Sequence, residues 1–188
     1  AIRNLDTVSV NINYSNKSKS ILDQSFDLNI SNDMLSEMSD LFLSLSGTEL
    51  KADQVNLYDF SGYVLQSGLT TNVTKTDITQ NEWITRAREL EGKKVITQPY
   101  CTNIYSKSAK YDQWFISLYR AFTNQYRRGV GVIETAKQCK SVFKSIISYE
   151  KKNHDAAAKV YVFDNNGNLI YPYEISEKDA RHILPYYT

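Results

Sequence analysis

The stretch Val55–Gly68, VNLYDFSGYVLQSG, reads as strand, turn, strand. Val55, Leu57 and Asp59 alternate with Asn56, Tyr58 and Phe60, the period of two of a strand whose two faces meet different surroundings. Gly62 ends an Asp-x-x-Gly turn, where a residue tolerant of positive φ is useful. A second stretch, Val160–Tyr173, VYVFDNNGNLIYPY, repeats the pattern. Asp164-Asn165-Asn166-Gly167 lies over Asp59-Phe60-Ser61-Gly62, with an apolar run before each and an apolar-rich run after. Two organisations follow. Either the chain begins the same structural unit twice, or the second hairpin adds a pair of strands to one domain.

Working outward from the first hairpin, Met34, Leu35, Met38, Leu41, Phe42 and Leu45 recur at helical spacing, and Asn32-Asp33 and Gly47 suit the two ends of that helix. Residues 4–25 carry a weaker helical pattern through Leu5, Val8, Ile12, Ile21 and Leu22. After the hairpin, TTNVTKTDITQ reads as a polar loop, and NEWITRARELEG as a short helix over about 81–91 closed by Gly92. KKVITQPY, YDQWFISLYRAFTN and YRRGVGVIETA read as strands, the last two joined by a turn near Asn124-Gln125 and therefore antiparallel. Gly129 and Gly131 suggest a bulge or a close backbone approach. KQCKSVFKSIISYEKKN reads as a helix with Cys139, Val142, Phe143, Ile146 and Ile147 on one face. This order predicts an α+β domain, with a mostly antiparallel five-stranded sheet, a long N-terminal helix, and the second hairpin restarting the pattern.

Composition narrows the function classes. Lys and Arg number 22 against 21 Asp and Glu, a formal charge of +1. That balance gives no electrostatic case for nucleic acid or an anionic membrane surface. No apolar run approaches the ~18 residues that span a bilayer. A start at Ala1 without methionine raises the expectation of an excised piece with a membrane segment outside it. Cys101 and Cys139 lack metal-ligand spacing and read as two buried small side chains, with a strand-to-helix disulfide left open.

The succession of a long helix, a Tyr58-Asp59-x-x-Gly62 hairpin, a Trp83-bearing short helix, a Pro99-Tyr100 strand, an aromatic strand reaching Arg120 and a Gly131-Val132-Ile133-Glu134 strand resembles the extracytoplasmic Cache domains. These are PAS-like sensors that also occur as tandem, double-Cache arrays. VSVNINYSN and QWFISLYRAFTN...GVGVIE look closest to the YesM-like sensor histidine kinases of Gram-positive bacteria. The resemblance implies N-terminal signalling helices over 1–50, a membrane-distal sensor module over 51–153, and the incomplete start of a membrane-proximal module over 154–188.

The residues show no catalytic constellation. G-x-S-x-G, H-E-x-x-H, phosphate-loop and G-x-G-x-x-G patterns are all missing. His154 and His182 read as solvated. Asp164-Asn165-Asn166-Gly167 lacks the alternating acids and final Glu of an EF-hand loop. No enzyme activity, metal or cofactor is therefore expected of this stretch, and the resemblance places any kinase chemistry outside it.

The resemblance instead implies a ligand pocket between the sheet and its covering helix, at the positions of Trp83, Tyr100, Arg120 and Glu134. Aromatic faces can stack on a sugar or cover an ammonium group, Arg120 can hold a carboxylate, and Glu134 can accept from an amine or hydroxyl. Core packing explains Trp83 and Tyr100 about equally well, and Arg120 and Glu134, on adjacent strands, could simply pair with each other. Cache domains that bind amino acids carry Arg and Tyr where this chain has Asn81 and Ile84, and Asp where it has Glu134. That departure argues against amino-acid recognition of that type.

The resulting expectation is an extracellular ligand-sensing domain of a membrane-anchored two-component histidine kinase. Its partner would be a small molecule, such as a carbohydrate, or an extracellular solute-binding protein, and the N-terminal helix could pair two copies in a homodimer. The same fold could serve a chemoreceptor or a cyclase, or a secreted interaction protein without a signalling role.

Overall fold

The computed structural model describes residues 2–16, 32–46, 51–105, 113–124, 126, 128–153 and 159–175. Helices α1 (Ile2–Tyr14) and α2 (Asn32–Ser46) precede strands β1 (Gln54–Asp59), β2 (Tyr63–Gly68) and β3 (Asn72–Lys75). A 3-10 turn (Ile78–Gln80) leads into α3 (Glu82–Glu89), then β4 (Val95–Ile96), β5 (Tyr100–Thr102), β6 (Gln113–Thr123) and β7 (Gly129–Gln138). Short helices α4 (Cys139–Val142) and α5 (Lys144–Lys152) and a hairpin, β8 (Val162–Phe163) and β9 (Leu169–Tyr171), complete the described order.

One antiparallel sheet runs β3-β2-β1-β7-β6-β4, with β5 also paired to β6. Among the described residues it has seven strands rather than the expected five. One addition is β3, inside the stretch read as a polar loop. At a sheet edge a strand needs only backbone partners, so a mostly exposed Asn-Val-Thr-Lys run can pair with β2 without an apolar face. The other arises because the strand read over KKVITQPY divides into β4 and β5, the second beginning at Tyr100 and running on to Thr102. Thr97 N–H still donates to Ser117 O at 2.9 Å, but Pro99 has no N–H to continue the ladder.

The alternation read in the first hairpin decides which face meets which helix. Val55, Leu57 and Leu65, with Leu118, Phe122 and Ile133, pack against Leu5, Val8 and Ile12 of α1 and Met38 and Phe42 of α2. On the opposite face Tyr58, Val64, Tyr119 and Val132 pack under Ile84 and Ala87 of α3. Both faces are covered, which is why every residue of β1 is buried. Of the N-terminal pattern, 2–14 is helical, and 17–31 lies outside the described residues, as do Gly47, His154 and His182.

The two Asp-x-x-Gly turns have the same internal chemistry. Asp59 Oδ1 accepts from Ser61 N and Tyr63 N, each at 2.9 Å. Asp164 Oδ1 accepts from Asn166 N at 2.9 Å and Asn168 N at 2.8 Å. Gly62 and Gly167 both take positive φ, +96° and +81°. The strands go to different places, however. β1 and β2 enter the large sheet, whereas β8 and β9 form a sheet of their own, packed through Tyr171 on Phe143 and Cys139. Gln98 Nε2 donates to Asp164 Oδ2 at 2.8 Å and ties this second turn to the segment between β4 and β5. Of the stretch expected to start a second module, 159–175 is described.

The helix read over KQCKSVFKSIISYEKKN is broken in two at Phe143. Cys139 is buried with a free thiol, so it is not joined to Cys101, and Cys101 is exposed rather than buried. Among the described residues, no helix is long and apolar enough to cross a membrane.

Candidate ligand site

Strand register assembles the site. Glu134 of β7 stands opposite Asn56 of β1 and Tyr119 of β6, so all three project from the face that α3 covers. Glu134 is fully buried, and its carboxylate collects five donors. Asn56 Nδ2 at 2.8 Å and Tyr58 Oη at 2.6 Å donate to Oε2. Ser117 Oγ at 2.6 Å, Tyr105 Oη at 3.0 Å and Tyr100 Oη at 3.1 Å donate to Oε1. Tyr100 Oη also lies 2.7 Å from Ser117 Oγ. Gln54 holds Asn56 in turn, its Nε2 donating to Asn56 Oδ1 at 2.9 Å. Among the described residues no Lys or Arg pairs with Glu134. Phenols, a hydroxyl and an amide do the work that a counter-ion would otherwise do, each through a charge-assisted hydrogen bond.

The tyrosines register this arrangement. Burial first, and the charge of Glu134 second, push the phenols of Tyr58, Tyr100, Tyr105 and Tyr119 well above the ordinary tyrosine range. Burial also lifts the Cys139 thiol to about 12, and Tyr171 reaches about 12 through burial and its hydrogen bond to Glu150. A pKa raised on folding stabilises the fold below the unfolded value and is lost as pH climbs toward the folded one. Stability should therefore hold up to about pH 9 and fall steeply above about pH 10, by up to ~1.4 kcal/mol per pH unit for each buried phenol. Urea midpoints taken from pH 8 to 11, with tyrosinate absorbance recorded alongside, check this. The part of the absorbance due to the four phenols around Glu134 should rise only with the loss of helical signal, and ionisation of those four near pH 10 in an intact fold would contradict it.

Beside the network, between α3 and the sheet, lies a cavity of about 180 Å³. Asn56, Tyr58 and Tyr105 form its inner wall, Ile84 and Asn81 its roof, and Gln66, Thr74 and Thr76 its side toward the edge strands. Asn81 caps α3, its side chain accepting from Trp83 N at 3.0 Å and Ile84 N at 3.3 Å, so the roof is held by the cap itself. Asp77 stands at the rim, where hydrogen bonds from Thr79 hold its carboxyl below the usual carboxylate value. No Lys or Arg is among the described residues lining this cavity. No trio of His, Cys, Asp or Glu is placed to hold a metal ion among the described residues.

The four residues singled out by sequence are thus distributed as follows. Tyr100 and Glu134 meet in the network. Trp83 is half-buried on α3, packs against the same apolar cluster with the Arg86 guanidinium 5.4 Å from its ring centre, and does not line the cavity. Arg120 is on the other face, because it stands opposite Ile133 rather than Glu134. Pairing between Arg120 and Glu134 is therefore excluded. Arg120 instead forms an ion pair with Asp6 of α1 at 2.5 Å, donates to Ser9 Oγ at 3.1 Å, and donates to Gly92 O just beyond α3. Lys94 also reaches Asp6, at 2.6 Å.

Sequence reasoning missed Asn56, Tyr58, Ser117 and Tyr105. For the first three a signal existed, since polar groups recur at alternate positions in strands otherwise rich in apolar residues. Tyr105 follows β5 in a loop, and no pattern in the chain points from there to Glu134.

No family model matches the chain, and no curated protein matches it. Solved structures do. The ligand-binding domain of the Campylobacter jejuni chemoreceptor Tlp3, in complex with L-valine, aligns with a TM-score of 0.56 at 14% identity, over 93% of this chain and 66% of that one. The ligand-binding domain of the Pseudomonas aeruginosa PAO1 amino acid chemoreceptor PctC, in complex with GABA, aligns with a TM-score of 0.57 at 9% identity, over 95% and 69%. The extracellular domain of vpHK1S-Z8, named for a histidine kinase, aligns with a TM-score of 0.57 at 11% identity, over 76% and 52%. This chain therefore spans about two thirds of the two chemoreceptor domains and about half of the third. At such identities the likeness is one of architecture, and the chain has the α+β, PAS-like (Cache) fold of sensory domains.

Proposed function

We infer that the chain is the extracytoplasmic ligand-sensing domain of a membrane-anchored sensor histidine kinase of the YesM-like, Gram-positive kind. In this reading it binds rather than catalyses, and residues 154–188 begin a second, membrane-proximal module. The observation that carries the sensory role is the two-sided use of one sheet. One face walls a cavity beneath α3, and the other is joined to α1 by Arg120, which also holds the loop leaving α3. A ligand that binds one arrangement of α3 better than another would bias α1 by the difference in affinity. A chemoreceptor is the second reading, supported by the likeness to the domains of Tlp3 and PctC.

The ligand in this proposal is a small uncharged polyol or sugar. Amides and hydroxyls of Asn56, Gln66, Thr74, Thr76 and Asn81 line the cavity beside aromatic and aliphatic groups. An α-amino acid fits less well. Glu134 is saturated by internal donors and no described cationic side chain is there to receive a carboxylate.

A thermal-shift screen against sugars, polyols, amino acids and small carboxylates tests this. A ligand at a hundred times its dissociation constant stabilises by about 2.7 kcal/mol, which in a domain of this size is roughly 5–10 °C. The hit should be a polyol or sugar, and Thr74→Trp, which fills the cavity from an exposed edge strand, should abolish it while leaving the melting temperature unchanged. A flat panel would favour sensing through a solute-binding protein, and a hit insensitive to Thr74→Trp would place binding elsewhere.

A further inference from the structure

A second cavity, about 590 Å³, lies at the end of the sheet where the β1–β2 turn, the end of α3 and the start of β7 come together. It falls within the range typical of ligand pockets, and none of the residues lining it lines the cavity beneath α3. Ala121, 3% exposed, belongs to its wall, with Phe60, Arg88, Glu91, Arg128 and Gly129 around it.

Two guanidinium groups converge here. Arg88 is held over the Phe60 ring, 4.3 Å from its centre. Such stacking spends the cation's flat face and leaves its N–H edges available. Arg128 is set by its backbone, since Arg128 N donates to Asn124 Oδ1 and Asn124 N donates to Arg128 O, both at 3.0 Å. Neither arginine forms an ion pair with a carboxylate among the described residues, Glu91 included. With Glu91 counted against them, the lining carries one surplus positive charge, which suits a monoanion better than a dianion. The exposed flank of Phe60, 39% accessible, offers an apolar surface beside the two cations.

We propose that this basin is a binding site for an organic monocarboxylate with a flat or apolar body, its carboxylate held by Arg88 and Arg128 and its body lying against Phe60. The site is separate from the cavity beneath α3 and does not depend on how that cavity is read.

Benzoate, with benzamide as its uncharged isostere, tests the proposal by NMR titration of the arginine side chains and backbone amides of the whole chain. Benzoate should bind saturably below about 20 mM, a range that covers the weak affinity of a fragment. Benzamide should bind at least tenfold more weakly. Arg88→Gln and Arg128→Gln should each weaken benzoate severalfold, and added salt should do the same. Gly129→Trp should block binding without unfolding the protein, since a side chain leaving Gly129 meets nothing within 4 Å. Glu91→Gln should tighten it. Equal binding of benzamide, undiminished binding in the Arg88→Gln, Arg128→Gln double variant, or no saturable benzoate binding would each overturn the proposal.

Discussion

Glu134→Ala should remove a large part of the stability of the fold. The substitution strips one acceptor from five donors and opens a void among buried side chains. A buried donor left without a partner costs about 1–3 kcal/mol. The five costs do not add, because the freed hydroxyls can turn toward one another and toward entering water, yet a total above about 4 kcal/mol is expected. That is a large part of the stability of an ordinary domain. Glu134→Gln separates charge from shape. Its amide oxygen can still accept on one side, but its NH2 would face the NH2 of Asn56, so a loss of about 2–3 kcal/mol is expected. Urea denaturation of both variants measures this. A Glu134→Gln variant as stable as the parent would mean that the carboxylate charge is not what organises the tyrosines. Full stability in Glu134→Ala would remove the network from any account of the fold.

Arg120→Leu should cost about 2–3 kcal/mol, chiefly by loosening α1 from the sheet. The Arg120 side chain is 12% exposed and Asp6 26%. The pair is thus partly screened and falls short of the 3–5 kcal/mol lost when a fully buried pair is broken. Removing the guanidinium also leaves Gly92 O and Ser9 Oγ without the donor they now share. Burial alone would raise the Asp6 carboxyl, but hydrogen bonds from Lys94 and Arg120 outweigh it and hold Asp6 below the usual carboxylate value. A depressed carboxyl stabilises the fold above its unfolded pKa and ceases to as pH falls through the folded one. Asp6 should accordingly titrate at higher pH in Arg120→Leu, as followed by carboxyl NMR, and the acid arm of the stability curve should flatten. Amide exchange should speed up both in α1 and around Gly92, since one side chain serves both. Acceleration confined to α1 would show that the two ends of this link act independently, and the route suggested for signalling would fail.

Much of this architecture was legible in the residues. The alternation of Val55, Leu57 and Asp59 with Asn56, Tyr58 and Phe60 identifies a strand with two unlike faces, and the structure uses both. The repeated Asp-x-x-Gly spacing identifies two turns with the same hydrogen bonds, because the Asp side chain and the positive-φ glycine act within a few residues of each other. α2 followed from its periodicity and from Asn32-Asp33 and Gly47 at its ends, and α3 from the run that Gly92 closes. β3 escaped notice because an edge strand is held by backbone pairing, which leaves little trace in side-chain pattern. The site was harder to read for a related reason. Glu134 and Arg120 look like partners on neighbouring strands, and a one-residue difference in register sends them to opposite faces.

Local chemistry, then, is what the residues determined by themselves: where the main strands and helices lie, where each turn closes, and which strand face is apolar. These depend on interactions spanning a few positions, so spacing along the chain records them. Tertiary structure alone decided that Asn56, Tyr58, Tyr100, Tyr105 and Ser117 surround one carboxylate, and that Arg120 ties α1 to the loop beyond α3. The donors to Glu134 lie 17 to 78 positions from it, and Asp6 lies 114 from Arg120. Contacts at such separations depend on sheet order and register, which arise only when both faces of the sheet are buried at once.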